Sequence, residues 1–449
     1  MRRARAIVAA SVMLAACSPA APLVGVAPAL PQRAPVAPPA TSLTAPIAAP
    51  TPAEIASLRK VRAMITRVSR ARGLPALREV PIKILNREQI LAKIKLHVDD
   101  DVPKASIVDE GEALAALELV PSAYDFLEGS YRLIQGRIAG FYEPDDRTMY
   151  LVDDLDDDEA EETLAHELDH ALQDQTYPLA PMMKYAPSQA DRLGAVHALV
   201  EGDAMSAMYD VVAGSAFNVS DKLFQGLATA STALSAEGSA APYVLQASLI
   251  APYSDGFSFV QALRTRGGWP AVDDAWRSLP DTTEQLLHVE KYLAREPAIA
   301  VAIPATDALG AGFRATLDDV MGEQSLRIAI EAWAGRSVAI PAAAGWGGDR
   351  YVVARRDAGA THEVALGWHL VFDTDKDADE MAAVLEKRFG KACKERALLG
   401  PLSWARKGRE LSITGGPFER SAAGAAPKSA GTCKTTAAWA HALVAAAPP

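Results

Sequence analysis

The segment 165–175 constrains the fold of this chain more than any other, because residues 166–170 read His-Glu-Leu-Asp-His. On a helix, residues four apart lie on one face with their Cβ atoms about 5–6 Å apart. His166 and His170 can therefore direct ring nitrogens at one zinc ion. Glu167 lies close enough to reach a metal-bound water without being a ligand. The pattern predicts a helix that carries two metal ligands and a general base.

The residues around this motif favour a helix. The segment 156–175 contains no proline or glycine, and acidic residues fill its first turn, where they suit the positive end of the helix dipole. Apolar side chains recur at helical spacing, at Leu164, Leu168, Ala171 and Leu172. The acidic run 153–162 lacks the spacing of an EF-hand loop, so we interpret it as a helix start. The alternative is a structural helix that happens to carry two histidines.

A second helix, predicted from about residue 189 to 212, supplies the missing ligand. Two histidines leave a catalytic zinc one protein ligand short. His197 and Glu201 are four apart and share a face. Glu201 is the predicted third ligand, while His197 is either a competing ligand or a residue behind the ligands. Asp203 is predicted to orient a ligand histidine through its free ring N–H. Gly202, inside the predicted helix, lowers helix stability by about 1 kcal/mol relative to alanine. A close helix–helix approach would explain why glycine stands there.

Three motifs carry a resemblance to known proteins. They are His-Glu-Leu-x-His-Ala-Leu-Gln-Asp-Gln at 166–175, Glu-Gly-Asp-Ala at 201–204 and Thr-Glu-Gln-x-Leu-His-x-Glu-Lys-Tyr at 283–292. A His-Glu-x-x-His helix with a glutamate from a downstream helix resembles the gluzincin metallopeptidases. Together the motifs resemble a poorly characterised group of secreted zinc metallopeptidase-like proteins over residues 137–293. In the last motif, Val289 stands where that group usually has proline.

The resemblance implies one zinc ion per chain and hydrolysis of peptide bonds in a peptide or protein substrate, with Glu167 as general base. Such a reaction leaves a negative oxygen that a second donor can stabilise. His288 is the first candidate for this donor and Tyr292 the second. The alternative is that Glu284 and His288, four apart, only fix their helix to the domain.

Three further side chains are candidates near the site. Tyr142 and Tyr209 are weaker candidates for the second donor. Gln173 follows His170 by three residues, so it either hydrogen-bonds beside the ligands or is a buried structural amide.

A β-hairpin is predicted at 137–152, immediately before the metal helix. In zinc peptidases of this class, an edge strand above the zinc pairs with an extended substrate. That mode of binding uses backbone hydrogen bonds and is independent of substrate sequence. The alternative is a strand that only packs on the helix.

The N-terminus predicts export. Arginines at positions 2, 3 and 5 precede an apolar run at 6–16 that is too short to span a bilayer. The sequence Leu-Ala-Ala-Cys at 14–17 resembles the lipobox of bacterial lipoproteins, which implies removal of a signal peptide 1–16 and a lipid anchor on Cys17. Ser18 then favours the outer membrane, if the cell has one. The alternative is an ordinary secretory signal with an incidental cysteine.

The net charge and the cysteines indicate which partners and which cellular compartment to expect. The net charge is −11 without a basic block, so a nucleic-acid partner is not expected. If Cys17 is lipidated, Cys393 and Cys433 remain in an oxidising compartment, and we predict a disulfide between them, with two buried thiols as the alternative.

The predicted fold class is α+β. An Ala/Pro-rich tether at 17–52 precedes a mostly helical zincin-like domain with a small β-sheet at 53–300. A smaller α+β domain at 301–420 and an Ala-rich tail at 421–449 follow. Two other functions stay open: a catalytically inactive envelope lipoprotein that binds zinc or peptide, and a zinc hydrolase that acts on a non-peptide cell-envelope linkage.

Overall fold

The structure is a computed structural model that describes residues 52–135, 138–219, 240–421 and 425–445. The predicted signal peptide, the lipidation site Cys17 and the tether up to residue 51 lie outside the described residues. Among the residues that are described, no helix is both long and apolar enough to cross a membrane. The architecture is α+β, as predicted, with helices predominating over two sheets.

The first part of the chain is mostly helical and contains a three-stranded sheet. Its central strand pairs in parallel with the first strand and antiparallel with the second, so the second strand lies at an edge. The two later strands form the predicted hairpin. The strands are β1 (Ile82–Leu85), β2 (Gly140–Glu143) and β3 (Thr148–Val152). The helices are α1 (Pro52–Arg72), α2 (Arg87–Asp101), α3 (Lys104–Ala116), α4 (Phe126–Gln135), α5 (Asp157–Thr176), α6 (Leu179–Met183), α7 (Ala190–Val212), α8 (Tyr243–Arg277), α9 (Thr283–Leu287) and α10 (Val289–Ala294).

Helix α5 forms where the sequence predicts it. Its N-cap, Asp156, accepts a hydrogen bond from the backbone N–H of Glu159 at 2.8 Å, and acidic residues fill the first turn. Both features compensate the unpaired N–H groups at a helix start. The middle of the helix is fully enclosed, so its histidines and Glu167 are buried.

Helix α7 packs against both α5 and α8. At the α7–α8 contact, Gly202 faces Gly256: a Cβ on Gly202 would lie 2.1 Å from the carbonyl carbon of Gly256. A Cβ on Gly256 would lie 1.8 Å from the carbonyl oxygen of Ala198. The two backbones therefore meet directly, which confirms the close approach predicted from the glycine inside the helix.

The second part of the chain surrounds a larger sheet with the strand order β4-β5-β6-β8-β7, and β9 pairs with β8. The first strand of this sheet, β4, directly precedes a helix, and its Leu317 is buried. The strands are β4 (Arg314–Asp319), β5 (Trp346–Ala358), β6 (Thr361–Phe372), β7 (Leu402–Lys407), β8 (Glu410–Arg420) and β9 (Lys428–Ser429). The helices are α11 (Gly322–Ala334), α12 (Arg336–Ala343), α13 (Asp375–Phe389) and α14 (Cys433–Ala445).

The last helix belongs to this fold. Helix α14 lies within the predicted tail, yet its Trp439 is fully buried against the sheet. A disulfide joins Cys433, the first residue of α14, to Cys393, with a Cα–Cα distance of 5.6 Å, which confirms the predicted pairing. The largest apolar cluster runs through both parts of the chain, from Leu168 and Phe257 to Trp346 and Phe418.

Candidate metal centre

Three ligand atoms converge between α5 and α7. His166 Nε2 lies 3.1 Å from His170 Nε2 and 3.1 Å from Glu201 Oε2, and His170 Nε2 lies 3.5 Å from the same oxygen. A tetrahedral zinc with bonds of about 2.0–2.2 Å holds its ligands about 3.4 Å apart. All three side chains are buried. The triangle therefore fits a single metal ion, and it joins the three residues that the sequence predicts as ligands.

The electrostatics of the group favour a cation. Burial opposes the charge of Glu201, but the His170 charge and hydrogen bonds from the histidines hold the pKa of Glu201 well below its usual value. Burial also opposes charge on His170, yet Glu201 outweighs it and raises the pKa of His170 to about 10. The carboxylate thus attracts positive charge to the point between the three ligand atoms, where a metal ion can take the place of a proton.

Glu167 lies beside the ligands with one oxygen uncommitted. Its Oε2 accepts a hydrogen bond from the backbone N–H of Tyr142 at 2.8 Å. Its Oε1 is buried and has no hydrogen-bond partner within the described part of the chain. Burial raises the pKa of Glu167, against the lowering effect of His166 and His170. The residue combines a fixed orientation with a free acceptor, as a general base requires.

A cavity of 410 Å³ opens onto Glu167 and His170. Strand β2, at the edge of its sheet, forms one wall through Phe141, Tyr142 and Glu143. The other walls are mostly apolar, and they come from α2, α6 and α7. The metal centre is thus reachable by a ligand that lies along an edge strand.

Two polar side chains, His197 and Gln173, lie next to the predicted ligands, which is one of the alternatives that the sequence leaves open for each. His197 Nε2 lies 3.2 Å from Glu201 Oε1, so it holds the oxygen of Glu201 that faces away from the histidines. Gln173 Oε1 accepts a hydrogen bond from His170 Nδ1 at 2.9 Å. His197 is therefore a partner of the third ligand rather than a ligand, and Gln173 contacts the site directly.

Asp203 does not orient a ligand histidine, and that prediction is wrong. It accepts hydrogen bonds from Arg72 Nε at 2.5 Å and Nη2 at 3.0 Å, and from Trp276 Nε1 at 2.6 Å. Two residues after Glu201, a helical side chain points about 200° away from it. Asp203 therefore faces α1 and α8, where it anchors the helix that carries Glu201.

The structure does not bring His288 and Tyr292 to the metal centre. His288 Nε2 binds Glu323 Oε1 at 2.9 Å, and the Tyr292 hydroxyl donates to the Ser278 carbonyl at 2.8 Å. Neither residue lines the cavity. Their segment packs elsewhere on the protein, since Lys291 on α10 donates a hydrogen bond to Asp373 Oδ2 at 2.7 Å. The alternative, in which this helical segment is fixed to the domain, agrees with these contacts.

The two weaker tyrosine candidates also differ from expectation. The Tyr142 hydroxyl donates a hydrogen bond to Asp174 Oδ2 at 2.9 Å, and its backbone N–H donates to Glu167 Oε2. Tyr209 packs edge-on against Phe257, with ring centroids 5.7 Å apart. Only Tyr142, of these two, lines the cavity.

One cavity residue escaped the sequence reasoning. His97, on α2, lines the cavity, and its Nδ1 lies 3.8 Å from Glu143 Oε2. No motif marks it. The only local signal is its position near Ile94 and Val98, which lie on the same helix and are buried.

Comparisons with known proteins concern a different part of the chain. The family described as domain of unknown function DUF8575 matches residues 312–423, which lie after the metal centre in the second part of the fold. No curated protein and no solved structure matches the chain significantly.

Proposed function

We propose that this protein is a zinc-dependent hydrolase of peptide bonds in which His166, His170 and Glu201 hold the metal. The observation that carries the proposal is the buried Oε1 of Glu167, which has no hydrogen-bond partner among the described residues and lies beside the three ligand residues and the cavity. A structural zinc site closes with four protein ligands, whereas a catalytic one keeps a position open. The buried group among the described residues has three ligands.

A bound zinc ion supplies Lewis acidity and lowers the pKa of water towards about 7. Glu167 accepts the proton of the attacking water at Oε1, while the N–H of Tyr142 keeps the carboxylate in place. Glu167 then returns the proton to the leaving amine. His97, at the cavity wall, takes the role of second donor that the sequence assigned to His288.

The substrate is an extended peptide or protein segment in this proposal. Among the described residues, strand β2 pairs only with β3, and its residues Phe141, Tyr142 and Glu143 line the cavity. A backbone can add to such an edge without regard to its sequence. Apolar side chains that line the same cavity, among them Leu179, Met183 and Val200, suit an apolar substrate side chain.

The proposal places the enzyme in the bacterial cell envelope, anchored by a lipid on Cys17 and facing outside the cytoplasm. The support is the lipobox-like sequence at 14–17 and the preceding basic and apolar residues. The disulfide between Cys393 and Cys433 agrees with an oxidising compartment.

The Glu167→Gln variant tests the mechanism. Wild type and variant should both contain one zinc ion per chain, because the three ligands are unchanged, while cleavage of a fluorogenic peptide library falls by about 10²–10⁴-fold. Glu161→Gln is the matched control, since Glu161 lies on the same helix but binds the exposed Arg67. A zinc-loaded wild type that cleaves no peptide would refute the peptidase. An unchanged rate in Glu167→Gln would refute the general base.

A further inference from the structure

The side-chain amide of Gln173 is fixed by three hydrogen bonds in a fully buried position. Its Nε2 donates to Asp169 Oδ2 at 2.9 Å and to the Val200 carbonyl at 3.0 Å. Its Oε1 lies 2.9 Å from His170 Nδ1. Because both partners of the amide nitrogen are acceptors, the amide has one orientation, with the oxygen towards His170.

This orientation determines which nitrogen of His170 carries the proton. An amide oxygen accepts but does not donate, so Nδ1 must hold the hydrogen, and the lone pair of Nε2 is available to a metal ion between the three ligand atoms. We propose that Gln173 and Asp169 are positioning residues that fix the metal-binding tautomer of His170 and make it a weaker electron donor to the metal than a histidine bonded directly to a carboxylate. The inference rests on the proposed function, because it assumes that the metal centre is loaded and used.

The weaker donation follows from the order of the groups. Metal-bound histidines commonly donate their second N–H to a carboxylate, a backbone carbonyl or a water, and the partner tunes ligand basicity. Here a neutral amide separates His170 from the carboxylate of Asp169. A less basic ligand holds the metal less tightly and leaves it a stronger Lewis acid. The arrangement favours reactivity of the metal over affinity for it.

The same amide also joins the two ligand-bearing helices. Its bond to the Val200 carbonyl crosses from α5 to α7 at the residue before Glu201. Gln173 therefore fixes the third ligand relative to the histidines as well as the tautomer of one of them.

Two variants and one control test the inference by zinc affinity, measured through competition with a chromophoric chelator. Gln173→Met keeps the side-chain length and removes all three bonds, so the zinc dissociation constant should rise about 10–100-fold. Gln175→Met is the control: Gln175 lies on the same helix, but its Oε1 accepts from the backbone N–H groups of Leu77 and Arg78 at 2.6 and 2.7 Å. Its zinc affinity should equal that of the wild type.

The double variant Asp169→Asn/Gln173→Glu exchanges the positions of the amide and the carboxyl group. The amide introduced at position 169 donates to the carboxylate introduced at position 173, which now accepts directly from His170. This variant lacks the bond to the Val200 carbonyl, as Gln173→Met does, so its zinc affinity is compared with that of Gln173→Met. Zinc should bind more tightly to the double variant than to Gln173→Met. In zinc-loaded protein, NMR should show slow exchange of the His170 Nδ1 proton in wild type and Gln175→Met, and fast exchange in Gln173→Met.

The outcomes separate this inference from the proposed function. Equal zinc affinity in Gln173→Met and wild type overturns the inference and leaves the hydrolase intact. If Gln173→Met does not fold, Gln173→Leu, which also lacks the three bonds, takes its place in the comparison: tighter zinc binding by the double variant supports the inference, and equal or weaker binding overturns it. A wild type that binds zinc and shows the affinity differences but cleaves no peptide overturns the function alone.

Discussion

Replacing Gly202 by alanine tests whether close packing of α7 positions the third ligand. The added Cβ would lie 2.1 Å from both the carbonyl carbon and the carbonyl oxygen of Gly256, and 2.7 Å from its Cα. Carbon atoms in contact normally lie about 3.5–4.0 Å apart. The obstructing atoms are backbone and cannot rotate away, so the two helices must separate by about 1 Å or more.

The energetic cost of Gly202→Ala has two opposing parts. Overpacking of this kind costs about 1–3 kcal/mol. Alanine in a helix interior is better than glycine by about 1 kcal/mol, which offsets part of the cost. We expect a net loss of stability up to about 2 kcal/mol. Because Glu201 is the adjacent residue, we also expect weaker zinc binding, since a displacement of about 1 Å can cost about 10²-fold in function.

Gly194→Ala is the matched control on the same helix. A Cβ at Gly194 would meet only the Thr283 Cγ2 atom at 3.4 Å, which is ordinary contact. This variant should be as stable as the wild type or gain up to about 1 kcal/mol. Thermal unfolding followed by circular dichroism and zinc titration measure both effects. If Gly202→Ala is as stable as Gly194→Ala and binds zinc equally well, the reasoning about the helix contact is wrong.

Three further predictions concern stability and location. Arg72→Met should lower the free energy of unfolding by about 3–5 kcal/mol in urea titrations, because it leaves the buried Asp203 carboxylate unpaired; unchanged stability would contradict the anchoring role of this ion pair. Burial raises the pKa of Asp191 from 3.8 to about 7, although Thr283 hydrogen bonds oppose it. A raised carboxyl pKa favours the folded state at low pH, so Asp191 should make stability fall as pH rises from about 4 to 7 and level off above. Asp191→Asn should remove that part of the slope, and an unchanged slope would show that other groups cause it. Cys17→Ser should move the exported protein from the membrane fraction to the soluble fraction, and retention in the membrane would contradict a lipid anchor on this residue.

The sequence by itself determined the local part of the metal centre. The spacing of His166, Glu167 and His170 places them on one helix, and helix geometry depends on neighbours along the chain. Helix geometry also predicts Glu201, because a catalytic zinc would need a further ligand and the next suitable helix offers one. The glycine beside it indicated a close helix contact, since glycine in a helix interior is unfavourable unless the backbone needs the space.

Only the tertiary structure decided which residues that are distant in sequence come into contact. Asp203 pairs with Arg72, which is 131 residues away in the sequence. His97, on α2, lines the cavity although it belongs to no sequence motif. His288 has the residue type and the motif of a catalytic donor, but its helical segment packs elsewhere and bonds to Glu323. The physical reason is that periodicity and spacing fix the face on which a side chain lies, whereas the neighbour that this face meets depends on how whole elements pack together.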